Sequence, residues 1–140
     1  TEQCRELNSM DARVRKAVDR ELHKNLGMNP ISSEDGVGII TIKLEEYALN
    51  PHGVFHVGII YLICDVCAYF GLLSILDEGL DAVTNDIQVS ILRSAKLGDV
   101  VEFESKVIRL GKRLAFLETT ATSGGEVIAT SKITKSIMNF

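Results

Sequence analysis

One carboxylate sits where it is expensive to keep. Asp65 lies in the middle of Val54–Leu76, VFHVGIIYLICDVCAYFGLLSIL, an otherwise almost wholly apolar stretch. A carboxylate there is costly unless it is paired. Two readings stand side by side: a structural Asp satisfied by a neighbouring hydroxyl or backbone N–H, and a general base whose proton affinity is set by burial. Just upstream, Asn50–Gly58 reads NPHGVFHVG. This puts an Asn, two His and two Gly before and at the start of a predicted helix. A helix N-terminus offers unpaired N–H groups and the positive end of the dipole, which can hold an oxyanion. The same segment also reads as a loop of turn formers, with His56 capping or packing.

Metal and redox chemistry fit the spacing poorly. His52, His56, Cys64 and Cys67 look like a zinc quartet by type. On a continuous helix, however, the eight residues from His56 to Cys64 span about 12 Å, and zinc needs its donors within about 2.3 Å of one point. Cys64-Asp-Val-Cys67 sits mid-helix rather than at the helix start that a thioredoxin-like pair requires. The cysteines read as small buried hydrophobes, and no metal or redox cofactor is expected. Val57 and Asp65 are likewise eight residues apart, about 12 Å on one axis. An oxyanion donor and a base must each reach one reacting carbonyl within about 3 Å. If both act in one reaction, the site is expected to be built across a dimer interface.

The elements that must position these groups follow from periodicity. Cys4, Leu7, Met10, Val14, Ala17, Val18, Leu22 and Leu26 recur at spacings of three and four, which predicts one amphipathic N-terminal helix. Gly27 suits its C′ position, and Asn29-Pro30 opens a new segment. Val37–Leu44 reads as a strand with Gly38, Ile40, Ile42 and Leu44 on one face. Asn50-Pro51-His52-Gly53 is a turn by composition, and the apolar helix starts near Phe55. Asp65 at its centre costs about 2.5–3.5 kcal/mol in a bilayer, so the helix is read as buried inside protein rather than as a membrane span. Further strands are predicted over Val83–Leu92, Val100–Leu110, Leu114–Thr122 and Val127–Met138, the last three joined by Gly-containing hairpins. A lone helix that is apolar all round needs a concave sheet about it. The expected class is therefore α+β, a long central helix wrapped by a curved antiparallel sheet. A second subunit is the simplest cover for what remains.

Composition narrows the setting. The 140 residues make one expected domain, 1–140, with 1–27 as an N-terminal helix packed on it. Fifteen Lys and Arg against nineteen Asp and Glu give a net charge of −4, a poor match to nucleic-acid phosphates. Arg93, Lys96, Arg109, Lys112 and Arg113 nevertheless fall near strand ends and loops. They are solvated turn residues by default, or a cationic rim for a phosphate-bearing ligand. A hydrophobic fraction of 46% excludes disorder. Three cysteines, an odd number, and no apolar h-region after the charged opening segment predict a reducing compartment, cytoplasmic or mitochondrial.

Asn50 to Asp65, N-P-H-G-V-F-H-V-G-I-I-Y-L-I-C-D, resembles the signature of the PaaI-like hotdog-fold thioesterases, with the strongest likeness to the small mammalian acyl-CoA thioesterases of that group. The pattern is Asn-x-x-Gly-x-x-His-Gly-Gly with an Asp seven residues on. Asn50, Gly53, His56, Gly58 and Asp65 fall in register. Val83–Ile87, Ala95–Asp99 and Arg109–Phe116 are similar to the family's next strand, loop and hairpin. The resemblance implies a hotdog fold, self-association as a dimer or homotetramer, and hydrolysis of acyl-CoA thioesters. It implies Asp65 as base or nucleophile, and the Val57 N–H with Asn50 as the carbonyl-polarising pair from the other subunit. His56 would support that loop and Thr84 orient the water. Gly58 belongs to the substrate site, and Arg93, Lys96, Lys112 and Arg113 would meet the CoA phosphates. CoA is then part of the substrate and no separate cofactor is needed. One departure is Val57, where the family has Gly; a β-branched side chain there can crowd the thioester. It motivates the alternative of a non-catalytic acyl-CoA binder on the same fold. Asn50-Pro51-His52 motivates a second alternative, a hotdog dehydratase or hydratase.

Overall fold

The computed structural model describes residues 11–139. Two short helices, α1 (Ala12–Val18) and α2 (Glu21–Asn25), lead into a strand hairpin, β1 (Met28–Glu34) and β2 (Val37–Lys43). A 3-10 turn at Glu46–Ala48 precedes the long helix α3 (Val57–Leu72). Four strands follow: β3 (Leu80–Ile91), β4 (Val100–Leu110), β5 (Leu114–Ser123) and β6 (Glu126–Asn139). All pairings are antiparallel, in the order β1-β2-β4-β5-β6-β3. Helix α3 touches all six strands, which is the expected arrangement of one helix enclosed by a sheet.

The continuous N-terminal helix is not observed. Within the described residues it is broken at Asp19-Arg20, where Arg20 is extended at φ −116° and ψ 146° and precedes the first residue of α2. Asp19 instead pairs with Lys24 at 2.7 Å. The break turns the second helix about its axis. Val14 and Val18 stay buried as the stripe requires, but Leu22 is exposed and His23 takes the inward position. Cys4, Leu7 and Met10 lie outside the described residues.

The inner face of β2 is read correctly from alternation: Gly38, Ile40, Ile42 and Leu44 are buried. Gly38 and Gly71 form the contact that seats α3. A Cβ on Gly71 would lie 2.6 Å from the Gly38 nitrogen, and one on Gly38 would lie 2.7 Å from the Cys67 carbonyl oxygen. Only glycine at both positions lets helix and strand backbones come so close. Below this contact Ile60, Ile63, Cys64, Cys67 and Phe70 pack on Phe103, Leu117 and Ile133. The far end of α3 is closed by Arg13, whose guanidinium donates to the carbonyls of Leu73, Leu76, Asp77 and Leu80.

Helix α3 is not buried on all sides, as its apolar sequence led one to expect. Gly58, Val57, Tyr61, Leu62, Asp65, Val66 and Tyr69 form a half-buried to exposed stripe along it. That stripe faces the β3 side of the sheet, where Thr84 meets Asp65 and Tyr69 meets Asp81.

Candidate active site

The segment before α3 is held from three directions. Asn50 Oδ1 accepts the His52 and Val54 N–H groups at 2.9 and 3.2 Å, closing the turn on itself. Phe55 N–H donates to the Ala95 carbonyl and His56 N–H to the Ala48 carbonyl. The bridge Val54↔Lys96 ties the turn to the loop before β4. With Oδ1 so used, the Asn50 amide nitrogen is left as a donor. His56 is the N-cap of α3: its Nδ1 accepts the Gly58 N–H at 2.9 Å, which leaves the ring proton on Nε2. A Cβ on Gly58 would come within 2.9 Å of the His56 ring, so the cap requires glycine there. The Val57 N–H, between these two, has no partner among the described residues. Val57 is not in the left-handed backbone region. Its amide is presented without need of a glycine, and its side chain is partly solvent-exposed.

Asp65 is two helical turns further on. Its Oδ1 accepts the Thr84 hydroxyl at 2.5 Å and the Lys135 ammonium at 2.9 Å, and Lys135 also donates to Thr84 Oγ1 at 2.7 Å. The side chain of Lys135 is 2% exposed and that of Asp65 38%. Burial pushes the lysine below its usual range; the neighbouring carboxylates of Asp65 and Asp81 act the other way. Asp65 Oδ2 has no hydrogen-bond partner among the described residues, and the side chain is 38% exposed.

Thr84 reaches Asp65 because of a bulge. The register of β3 on β6 slips between Thr84 and Asp86, leaving Asn85 as the extra residue, with its Oδ1 accepting the Ser136 hydroxyl. After the bulge Ile87 and Val89 face inward, as alternation predicts. Continued backward without a bulge, that alternation would turn Thr84 outward. Sequence reasoning missed Lys135 altogether. The available signal was a lysine in the strand stretch Ile133-Thr-Lys135-Ser-Ile137, at a position whose alternate neighbours are both isoleucine.

The cationic residues fall into two groups. Arg93 and Lys96 are exposed near the N-terminal end of α3, Arg93 pairing with Glu126 at 3.3 Å. Lys112 and Arg113 are exposed at the β4–β5 hairpin, beside Ile137 and the far end of the sheet. One chain does not bring the two groups together. Cys64 and Cys67 point into the core, away from His52 and His56 on the surface. Burial pushes the Cys64 thiol up to about 12 and raises Cys67 as well.

A family model described as the thioesterase superfamily matches residues 52–130, more than half of the chain, from within the turn before α3 through Asp65 to the start of β6. The chain belongs to the thioesterase superfamily. Acyl-coenzyme A thioesterase 13 of Homo sapiens is 28% identical over 141 residues, covering 95% of this chain and all of the relative. Among solved structures, zebra fish thioesterase superfamily member 2 matches with a TM-score of 0.81 at 23% identity, over 93% of this chain and 96% of that one. A Streptococcus mutans protein solved with acetyl CoA matches with a TM-score of 0.74 at 26% identity, over 80% and 89%. The sheet-wrapped helix of this thioesterase-superfamily member is the hotdog fold. No helix among its described residues is long and apolar enough to cross a membrane.

Proposed function

We propose that the chain hydrolyses acyl-CoA thioesters to free acid and CoA, at a site completed by a second copy of itself. The observation that carries this is Asp65, an anchored carboxylate with one oxygen free, set mid-way along the exposed stripe of the central helix. The Asp65 Oδ2 takes a proton as water attacks the thioester carbonyl. The carbonyl oxygen becomes an oxyanion, received by the Val57 N–H and the Asn50 amide. Collapse of the tetrahedral intermediate breaks the C–S bond, and the thiolate of CoA leaves with the proton that Asp65 returns. The names of the relatives support this chemistry, and so does the acetyl CoA held by the S. mutans protein.

The separation of Val57 from Asp65, about 12 Å on one helix, supports the shared site. Strand β3 is an end strand, and its outer edge is unpaired among the described residues. Antiparallel pairing of two β3 edges would cover it. It would set each helix start beside its partner's mid-helix, and Arg93 and Lys96 of one copy beside Lys112 and Arg113 of the other. That reunites the cationic rim for the CoA phosphates. The same reading has these dimers pair into a homotetramer in the cytoplasm.

The test is free-thiol release from short, medium, long and aryl acyl-CoAs, with wild type beside Asp65→Asn. Turnover by wild type that falls at least about 10²-fold in the variant is expected. Equal turnover by both sinks the assignment of Asp65. No turnover by wild type, with saturable acyl-CoA binding, returns the non-catalytic binder.

A further inference from the structure

Lys135 stands where a core strand calls for an apolar residue. Ile133 precedes it on the inner face of β6, and Ala115, directly opposite on β5, leaves it room. The donors of its ammonium are all committed: to Asp65 Oδ1, to Thr84 Oγ1, and toward the face of Tyr69, whose ring centroid is 5.5 Å away. The groups facing it are Asp65 and Tyr69 from α3 and Thr84 and Asp81 from β3; Ala115 on β5 brings no charge. Packing alone does not account for a lysine. A methionine of similar length would fill the space, and a buried ion pair is a poor source of stability compared with apolar packing. What distinguishes lysine is the oxygen it reaches.

We infer that Lys135 is a positioning residue for Asp65: it occupies Oδ1, turns the Thr84 hydroxyl onto the same oxygen, and leaves Oδ2 alone to face the substrate. Thr84 then serves first as an anchor of the carboxylate. Its one hydrogen goes to Asp65 and one lone pair to Lys135, so at most one lone pair remains for a water. Lys135 itself is enclosed and reaches no substrate. The inference rests on the thioesterase reading above.

The experiment uses the intact chain and one acyl-CoA that wild type hydrolyses. Initial rates of thiol release are followed from about pH 6 to 10.5 for wild type, Lys135→Met and Lys135→Arg, with melting curves for each. For Lys135→Met, kcat is expected to fall about 10²-fold with KM within about threefold, and the protein to stay folded with a lowered melting temperature, because the Asp65 carboxylate loses its only charged partner among the described residues. Lys135→Arg keeps a cation that does not titrate. It is expected to recover at least about tenfold of that kcat. It should also lose the alkaline fall that wild type shows when Lys135 gives up its proton. Because burial lowers the lysine, that fall begins below the pH at which an ordinary lysine titrates. The buried cysteines are common to all three proteins and cancel. Lys135→Met within threefold of the wild-type kcat overturns the inference. So does an unfolded Lys135→Met protein, which would make the ion pair structural, or an Arg variant with an unchanged alkaline limb. If Lys135→Arg is too large to fold, the Met variant decides alone. Absence of wild-type turnover sinks the thioesterase reading, whereas wild-type turnover with an unaffected Met variant sinks only the role of Lys135.

Discussion

Gly71→Ala should destabilise the protein although alanine is the better helix former. The new methyl carbon would lie 2.6 Å from the Gly38 nitrogen and 3.1 Å from the Val37 carbonyl carbon. Ordinary contacts begin near 3.5 Å. Both obstructing atoms are backbone, so no side chain can swing aside, and α3 must withdraw from β2 by about 0.5–1 Å. A gap of that size forfeits a quarter to a half of the dispersion energy across the interface. This places the cost at the upper end of over-packing, about 3 kcal/mol. Helix propensity returns about 1 kcal/mol, leaving about 2 kcal/mol net. For 140 residues at about 2.1 cal/mol/K each, the unfolding entropy is about 0.3 kcal/mol/K, and the melting temperature should fall by about 7 °C. Thermal unfolding by circular dichroism, at one protein concentration because self-association shifts the midpoint, measures it. Gly38→Ala should fall in the same direction, against the Cys67 carbonyl oxygen. A melting temperature for Gly71→Ala at or above wild type would refute the backbone contact as the seat of the helix.

Removing the guanidinium in Arg13→Ala deprives four carbonyls of a charged donor and should cost about 2 kcal/mol, read as a similar drop in the melting temperature. His56→Ala removes the N-cap of α3 and should cost about 1 kcal/mol together with a fall in kcat; His56→Asn, which keeps an acceptor, should regain most of the stability in a urea titration. The cysteines make the fold sensitive to alkali. Cys64 is raised from 9.0 to about 12, so the folded state keeps a proton that the unfolded chain releases. Stability is then full below about pH 9 and declines as pH rises toward 12. Lys135, lowered in the fold, pulls the other way, so the check compares wild type with Cys64→Ala, whose melting temperature should decline less between about pH 9 and 10.5.

The strands of the second half were legible because their inner residues alternate and their turns carry glycine at positive φ, as at Gly124 and Gly125. Strand β1 escaped for lack of such a pattern. Asn29-Pro30-Ile31-Ser32-Ser33 has no alternation and carries a proline. An end strand tolerates this, with the register slipping between Pro30 and Ser32. Its sign was the pair Asp35-Gly36, both at positive φ, the two-residue turn into β2. In the first helix the spacing of apolar residues ran on through Leu22, but Asp19 and Arg20 leave the helical backbone, and periodicity does not register a break that keeps its own count. At the site, Asp65 and the turn before α3 stood out by type and place. Thr84 rested on family likeness, since only a bulge turns it inward. Lys135 was invisible because a lysine is by default a surface residue, and its meaning lies in a partner 70 residues earlier in the chain.

The Arg13 clamp also bears on the order in which the molecule can assemble. Its four acceptors lie 60 to 67 residues further along the chain. During synthesis the first helix therefore emerges long before anything it can hold. Seven residues are too few to persist alone in water, and Val14 and Val18 have no core to enter until α3 arrives. Helix α1 should thus fold late, docking on a sheet and helix already in place, and its closure should be slow because the contact spans 60 to 67 residues. Its arrival completes the last turn of α3, a latch fitted after the door.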